Sequence, residues 1–338
     1  MDPLTQGLLG ASLPQAISKK QHLVVAGVLG MLAGMTPDLD VLIRSSSDPL
    51  LFLEYHRQFT HSLLFIPIGS FICALLLHQL VAKKRGLLFK QTWFYCALGY
   101  STHALLDACT TYGTQLLWPL SEERYAWNTI SVIDPLFTLP ILSLLLFTVL
   151  KRNPWYARAA FIWVLAYLAL GTYQRNKAEA IGWELAQARQ HSPIRLEAKP
   201  TFANILVWKV IYETEQAYYV DAVRVGGYSK TYQGQSIAKL DLSKDFPWLD
   251  MKSQQAKDIE RFRWFSNGYI AQDPNDELRI IDIRYSIVPN QIKALWGITL
   301  SPTAEEETHA DYTAHRDSSP ESRQVFFNML KGIDCTTC

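Results

Sequence analysis

The chain carries no GxSxG elbow, no HExxH helix and no P-loop, which removes the usual signatures of serine hydrolases, zinc proteases and nucleotide-phosphate binders. Its formal net charge is only +1, so there is no basic surface of the kind nucleic acid requires. Cysteine is scarce, at five residues in 338, too few for a disulfide framework. Cys73, Cys96 and Cys109 lie in or beside apolar segments and read as small buried hydrophobes. Cys335 and Cys338 form a single CxxC at the C-terminal end, with neither the second half of a zinc site nor a thioredoxin-like context, so a disulfide or a frayed tail suits them as well as a redox role. Met1–Gly10 lacks a basic n-region, and no A-x-A site follows a short apolar core. Membrane segments, if present, are therefore expected to stay in the mature protein. No internal repeat or low-complexity tract stands out.

What is present is unevenly spread. Hydrophobic segments fill the chain up to about Tyr173, and the rest has the composition of an ordinary soluble domain. The expected architecture is an α-helical polytopic membrane domain over residues 1–175 and a C-terminal soluble α+β domain over 176–338. Leu4–Ile17 is moderately apolar and too short to span comfortably, so a partly inserted or packed helix is expected there. Leu23–Met35, Leu63–Val81, Leu87–Cys109, Pro135–Leu150 and Trp155–Tyr173 read as the further membrane helices. Gly27, Gly30 and Gly34 would let helix backbones approach closely. Beyond them, Asn176–Gln190 has helical apolar spacing. Ile205–Tyr212 with Ala217–Val225, and Tyr269–Gln272 with Leu278–Ile287, read as two hairpins. Gln291–Leu300 could add a strand, Ser301–Ser322 reads as loop and Val325–Ile333 as a closing helix.

Charge asymmetry orients the helices. If Lys19/Lys20, Lys83–Arg85 and Lys151/Arg152 with Arg158 all face the cytoplasm, alternate crossings bring Asp38 and Asp40, His56 and His61, then His103 and Asp107 to the opposite face. The same count puts the C-terminal domain outside the cytoplasm.

Taken singly, each of these side chains has an ordinary explanation: a helix cap, a solvated loop end, an interfacial imidazole, a His–Asp bond between helices. Ionisable groups at the edge of hydrocarbon are costly, however, and here three helix ends deliver six of them to one face. His103 and Asp107 are four apart and share a helix face. Asp38 and Asp40 can act together only on turning or extended chain, which Pro37 permits. Arg57 is placed to meet an anionic substrate group. Asp134, directly before Pro135, reads as an N-cap. A mixed His and carboxylate set suits a divalent metal, zinc first and manganese or iron next, with Asp38 and Asp40 as catalytic carboxylates. His309, Asp311 and His315 have no familiar ligand spacing and read as solvated surface.

The ordered series MDPLTQGLLG, GMTPDLDVL, HRQFTHS and GYSTHALLDACTTYG resembles the membrane-bound, metal-dependent hydrolase family of bacterial inner membranes, also described as LexA-binding and inner-membrane-associated. The resemblance covers roughly Met1–Tyr173, with a distant likeness to zinc-dependent phospholipase C proteins. It implies a metal held among Asp38, Asp40, His56, His61, His103 and Asp107. Where many relatives have Thr-His near the start, this chain has Thr5-Gln6, so either a ligand is lost or Gln6 only hydrogen-bonds. The expectation is a metal-dependent hydrolase acting on an ester or phosphoester at the outer face of the inner membrane, with the lipid bilayer as its partner. The alternatives are a non-catalytic membrane protein with a structural polar cluster and a partner-binding outer domain, or a transporter.

Overall fold

Helix α1 (Pro3–Ile17) opens the computed structural model, which describes residues 1–315 and 319–333. Asp2 caps it, its Oδ1 accepting from the Thr5 N–H at 3.0 Å. Most of α1 is buried, as expected of a packed helix. Helix α2 (Leu23–Met35) passes into a tighter 3-10 turn over Thr36–Leu42, at whose start lies Pro37. A short helix α3 (Leu51–Tyr55) precedes α4 (Ile66–Leu77), α5 (Phe89–Ala108), α6 (Pro135–Leu150) and α7 (Trp155–Ala188). Asp134 does cap α6, accepting from the Leu136 and Phe137 N–H groups at 3.1 and 3.3 Å.

Among the described residues, Lys20–Leu42, Leu63–Arg85 and Trp155–Ala188 are long and apolar enough to cross a membrane, and α6 is apolar but shorter. The expected span Leu87–Cys109 is helical but too polar to qualify by composition. The reason is its position: α5 packs against α1, α2 and α4, so much of its circumference meets protein rather than lipid. Helix α7 runs unbroken through what the sequence divides into a last span and a separate amphipathic helix.

Glycines set the distance between α1, α2 and α5. A Cβ on Gly99 would lie 2.2 Å from the Gly30 carbonyl oxygen, and one on Gly10 would lie 2.6 Å from the same atom. These are backbone contacts that no rotamer change can relieve.

The C-terminal region is α+β. An antiparallel meander, in order β1 (Arg195–Pro200), β2 (Val207–Glu213), β3 (Ala217–Arg224) and β4 (Lys230–Ala238), is followed by α8 (Leu242–Asp245) and α9 (Gln254–Phe265). A second meander runs β5 (Ile270–Asp273), β6 (Asp276–Asp282), β7 (Trp296–Thr299) and β8 (Asp311–Ala314), and α10 (Pro320–Lys331) closes the described chain. Ile211, Val220, Tyr269, Ala271 and Ile281 form a core shared by the two sheets. Strand β8 falls where loop is expected, and Cys335 and Cys338 lie outside the described residues.

The chain divides into two compact units. One holds Met1–Ile43, Tyr55–Thr172 and Phe202–Asn204, and the other holds Arg44–Glu54, Tyr173–Thr201 and the chain from Ile205 onward. The stretch Arg44–Glu54 thus belongs with the C-terminal unit. There Arg261 binds Asp48 through both of its terminal nitrogens at 3.0 and 2.8 Å, and also pairs with Glu54.

Candidate metal centre

The end of α2 and the end of α5 meet where their glycines allow it. His103 Nδ1 lies 2.6 Å from the Gly34 carbonyl oxygen. A carbonyl can only accept, so Nδ1 carries the proton and the Nε2 lone pair is left for the cluster. His61, in the 3-10 turn Phe59–His61, is held in the same way, with its Nδ1 at 3.1 Å from Asp40 Oδ2 and its Nε2 directed inward. Second partners of this kind fix the tautomer and orientation of metal-binding imidazoles.

Four donor atoms then face one another. His61 Nε2 is 2.9 Å from His103 Nε2 and 3.3 Å from Asp107 Oδ2, and His103 Nε2 is 3.7 Å from Asp107 Oδ2. Asp38 Oδ1 is 3.6 Å from His61 Nε2 and 3.4 Å from His103 Nε2. Metal–ligand bonds of 2.0–2.1 Å in a tetrahedron imply ligand–ligand edges of about 3.3 Å, and the five separations scatter around that value. Asp107 is fully buried: Arg57 Nε lies 3.0 Å from its Oδ2, while Oδ1 meets the Met1 ammonium and accepts from Gln6 Nε2 at 2.8 Å. Two imidazoles beside two carboxylates make a pocket that favours positive charge. Burial opposes a proton on His61, yet hydrogen bonding to Asp107, Asp38 and Asp40 outweighs it and raises the imidazole to about 10. The donor set and its spacing therefore fit a divalent ion.

The remaining expected residues lie beside this set. Asp38, Asp40 and His56 form a second group, with His56 Nδ1 at 2.7 Å from Asp40 Oδ1. Burial lowers the His56 pKa, against the pull of Asp40. The other oxygen of Asp40 accepts from the Arg57 backbone N–H at 2.9 Å and from Thr60 Oγ1 at 2.8 Å. Arg57 holds a left-handed φ of 68°, which presents that N–H. Its guanidinium, expected to face substrate, is instead buried, with Nε at 3.0 Å from Asp107 Oδ2 and Nη1 at 3.0 Å from Thr110 Oγ1. The Asp38 and His56 side chains keep 20% and 26% exposure while His61, His103 and Asp107 keep none, so the cluster opens on the side of Asp38 and His56. In the C-terminal unit, His309 is not simply solvated: it pairs with buried Asp258 at 2.8 Å. Gln6, expected either to mark a lost ligand or only to hydrogen-bond, donates to Asp107, and the roles of Gly34 and Thr60 were not assigned from the sequence. The glycine spacing was the one signal that could have pointed to Gly34.

A helical membrane domain that gathers histidines and aspartates at its helix ends, continued by an α+β domain, defines the class. Residues 1–178 match the YdjM inner membrane protein family, and the chain belongs to that family of inner-membrane proteins. It is 33% identical over 107 residues to the inner membrane protein YbcI of Escherichia coli (strain K12), a match covering 30% of this chain and 60% of YbcI. It is 26% identical over 126 residues to YfhP of Bacillus subtilis (strain 168), described as an uncharacterized protein, covering 37% of each. The chain therefore spans 60% and 37% of the lengths of these two relatives. No solved structure matches.

Proposed function

We propose that this protein is a membrane-embedded, metal-dependent hydrolase acting on an ester or phosphoester of lipid-like character at the outer face of the inner membrane. Asp38, His61, His103 and Asp107 hold the ion. Two imidazoles and two carboxylates at tetrahedral spacing suit zinc first, with manganese or iron as alternatives. Such an ion, when bound, supplies Lewis acidity and brings the pKa of water toward 7. The protein's part is to fix the donors and admit substrate. Asp40 and Gly34 orient the two imidazoles, Gln6 and Arg57 hold Asp107, and the half-open Asp38 edge is where water and substrate enter. A lipid headgroup would sit at the depth of these helix ends, which favours a lipid-like substrate.

The observation that carries this reading is the set of five donor separations, combined with two imidazoles whose outer nitrogens are already committed. A purely structural cluster would rest on the ion pairs of Asp107 with the Met1 ammonium and Arg57 and on a proton shared between the two imidazoles, and would stay metal-free. A transporter would favour charges near the bilayer midplane rather than at helix ends.

Metal analysis of the detergent-purified protein, prepared with metal supplied and without chelators, provides the test. At least one transition-metal ion per chain is expected. Asp38→Asn and His103→Ala should strip it without preventing insertion, and should abolish hydrolysis of small soluble esters or phosphoesters in parallel. Wild-type protein that stays metal-free overturns the reading.

A further inference from the structure

We infer that the centre is dinuclear, with Asp38 as the shared ligand, and that its substrate is a phosphoester rather than a carboxylic ester. This rests on the hydrolase reading above. Two sets of donor atoms, each mutually within 4.8 Å, occur in the cluster: Asp38 with His61, His103 and Asp107, and Asp38 with Asp40 and His56. Asp38 belongs to both. Its Oδ1 is the atom facing the two imidazoles of the first set, which leaves its second oxygen for the other. A carboxylate is the one side chain here that can serve two ions at once.

Asp40 is divided in a way that supports the second set. Its Oδ2 is saturated by three donors, the Arg57 N–H, Thr60 Oγ1 and His61 Nδ1. Its Oδ1 has His56 Nδ1 at 2.7 Å. That contact keeps His56 and Asp40 together beside Asp38, with donor atoms of all three mutually within 4.8 Å. The first set has four protein donors and is mostly buried. The second has three and lies on the exposed side of the cluster, with 26% of the His56 side chain accessible. Three protein ligands leave a position open to water and substrate.

Paired ions sharing a carboxylate act as a clamp on both the attacking and the leaving oxygen of an in-line displacement, which is the need of phosphoester cleavage. In that reaction water oxygen forms the new bond to phosphorus and the bond from phosphorus to the substrate's alcohol oxygen breaks. One proton of water ends on that alcohol, giving a phosphate product and a free alcohol.

Manganese-loaded protein in detergent separates the outcomes. Wild type should bind two Mn²⁺ per chain and give an exchange-coupled EPR spectrum. His56→Ala, which touches only the second set, should bind one ion and give an isolated six-line signal. It should also lose cleavage of bis(p-nitrophenyl) phosphate. Competition with a chromophoric chelator on wild-type protein gives the stoichiometry independently of any variant. One uncoupled ion in wild type overturns the dinuclear assignment and leaves the single-metal hydrolase standing. No bound ion overturns both. Two coupled ions that persist in His56→Ala place the second ion elsewhere and overturn the assignment to Asp40 and His56, and two ions with cleavage of the carboxylic ester alone overturn the substrate class.

Discussion

Lys209 lies on the internal strand β2 with 3% exposure, its ammonium donating to Ser286 Oγ at 2.8 Å and to the Gln291 carbonyl at 3.0 Å. Burial pushes its pKa down to about 7, with Asp282 pulling the other way. Between that value and the ordinary 10.5, the unfolded chain binds more protons at this site than the native one. Stability should therefore rise as pH climbs through this window, by up to about 1.4 kcal/mol per unit. Below pH 7 the penalty is fully present. Lys209→Met should be more stable than wild type near pH 7, and the difference should shrink toward pH 10, as read by hydrogen exchange across β2 in the full-length protein. Parallel pH profiles for the two would show that the ammonium is hydrated in solution. At this same scale the six polar residues of the membrane domain could be read from the sequence, because charge at the edge of hydrocarbon has few explanations. Their division of labour could not be read. Which oxygen of Asp40 meets His61 and which meets His56 depends on the 3-10 turn after Pro37, and the inward aim of Arg57 depends on its left-handed backbone.

Among the helices, the glycine contacts carry the most consequence. A methyl at Gly99 would press on the Gly30 carbonyl oxygen at 2.2 Å and its Cα at 2.6 Å, forcing α2 and α5 apart. His103 is one turn beyond Gly99 on α5 and depends on the Gly34 carbonyl of α2. Gly99→Ala should therefore cost about 1–3 kcal/mol of stability and lower metal content as well. Gly227→Ala, where the new methyl would meet nothing within 4 Å, should do neither in thermal unfolding and metal analysis. Unchanged metal content in Gly99→Ala would mean that the helix pair does not set the imidazole's position. Hairpins β2–β3 and β5–β6 were legible from β-branched runs on either side of polar turns. Strands β4 and β8 were not, because each is a sheet edge with mostly exposed, polar residues and no alternation to read. Helix α9 hides its apolar face in a strongly charged segment, with Ala256, Ile259, Phe262 and Phe265 three apart.

For the whole molecule, the ion pairs of Arg261 with Asp48 and Glu54 constrain topology. Residues 44–54 follow the α2 span directly, and an ion pair of water-exposed groups cannot reach through a bilayer. The loop after α2 and the C-terminal domain therefore share a side, and an even number of crossings must separate them. Helix α5 lies alongside the α4 segment: near one end His78 Nδ1 is 2.9 Å from Thr92 Oγ1, and toward the other the Tyr100 hydroxyl donates to the Thr60 carbonyl at 2.8 Å. If α4, α5 and α7 each cross once, parity requires α6 to cross too, although its 16 residues are fewer than those of the runs Leu63–Arg85 and Trp155–Ala188. A helix of that length rises about 24 Å, enough for a thinned or tilted fit near a bilayer core of about 30 Å. The excess of lysine and arginine in cytoplasmic loops then predicts that the basic run Lys83–Arg85 faces the cytoplasm. Reporter fusions should place Ser46, Ser121 and Gly332 outside and Arg85 and Arg152 inside. A cytoplasmic signal from Ser121 with an external one from Gly332 would mean that neither α5 nor α6 spans. The ligands on α5 could then no longer lie on the outer face with the end of α2, and the placement of the site, along with the lipid-facing substrate it implies, would fall.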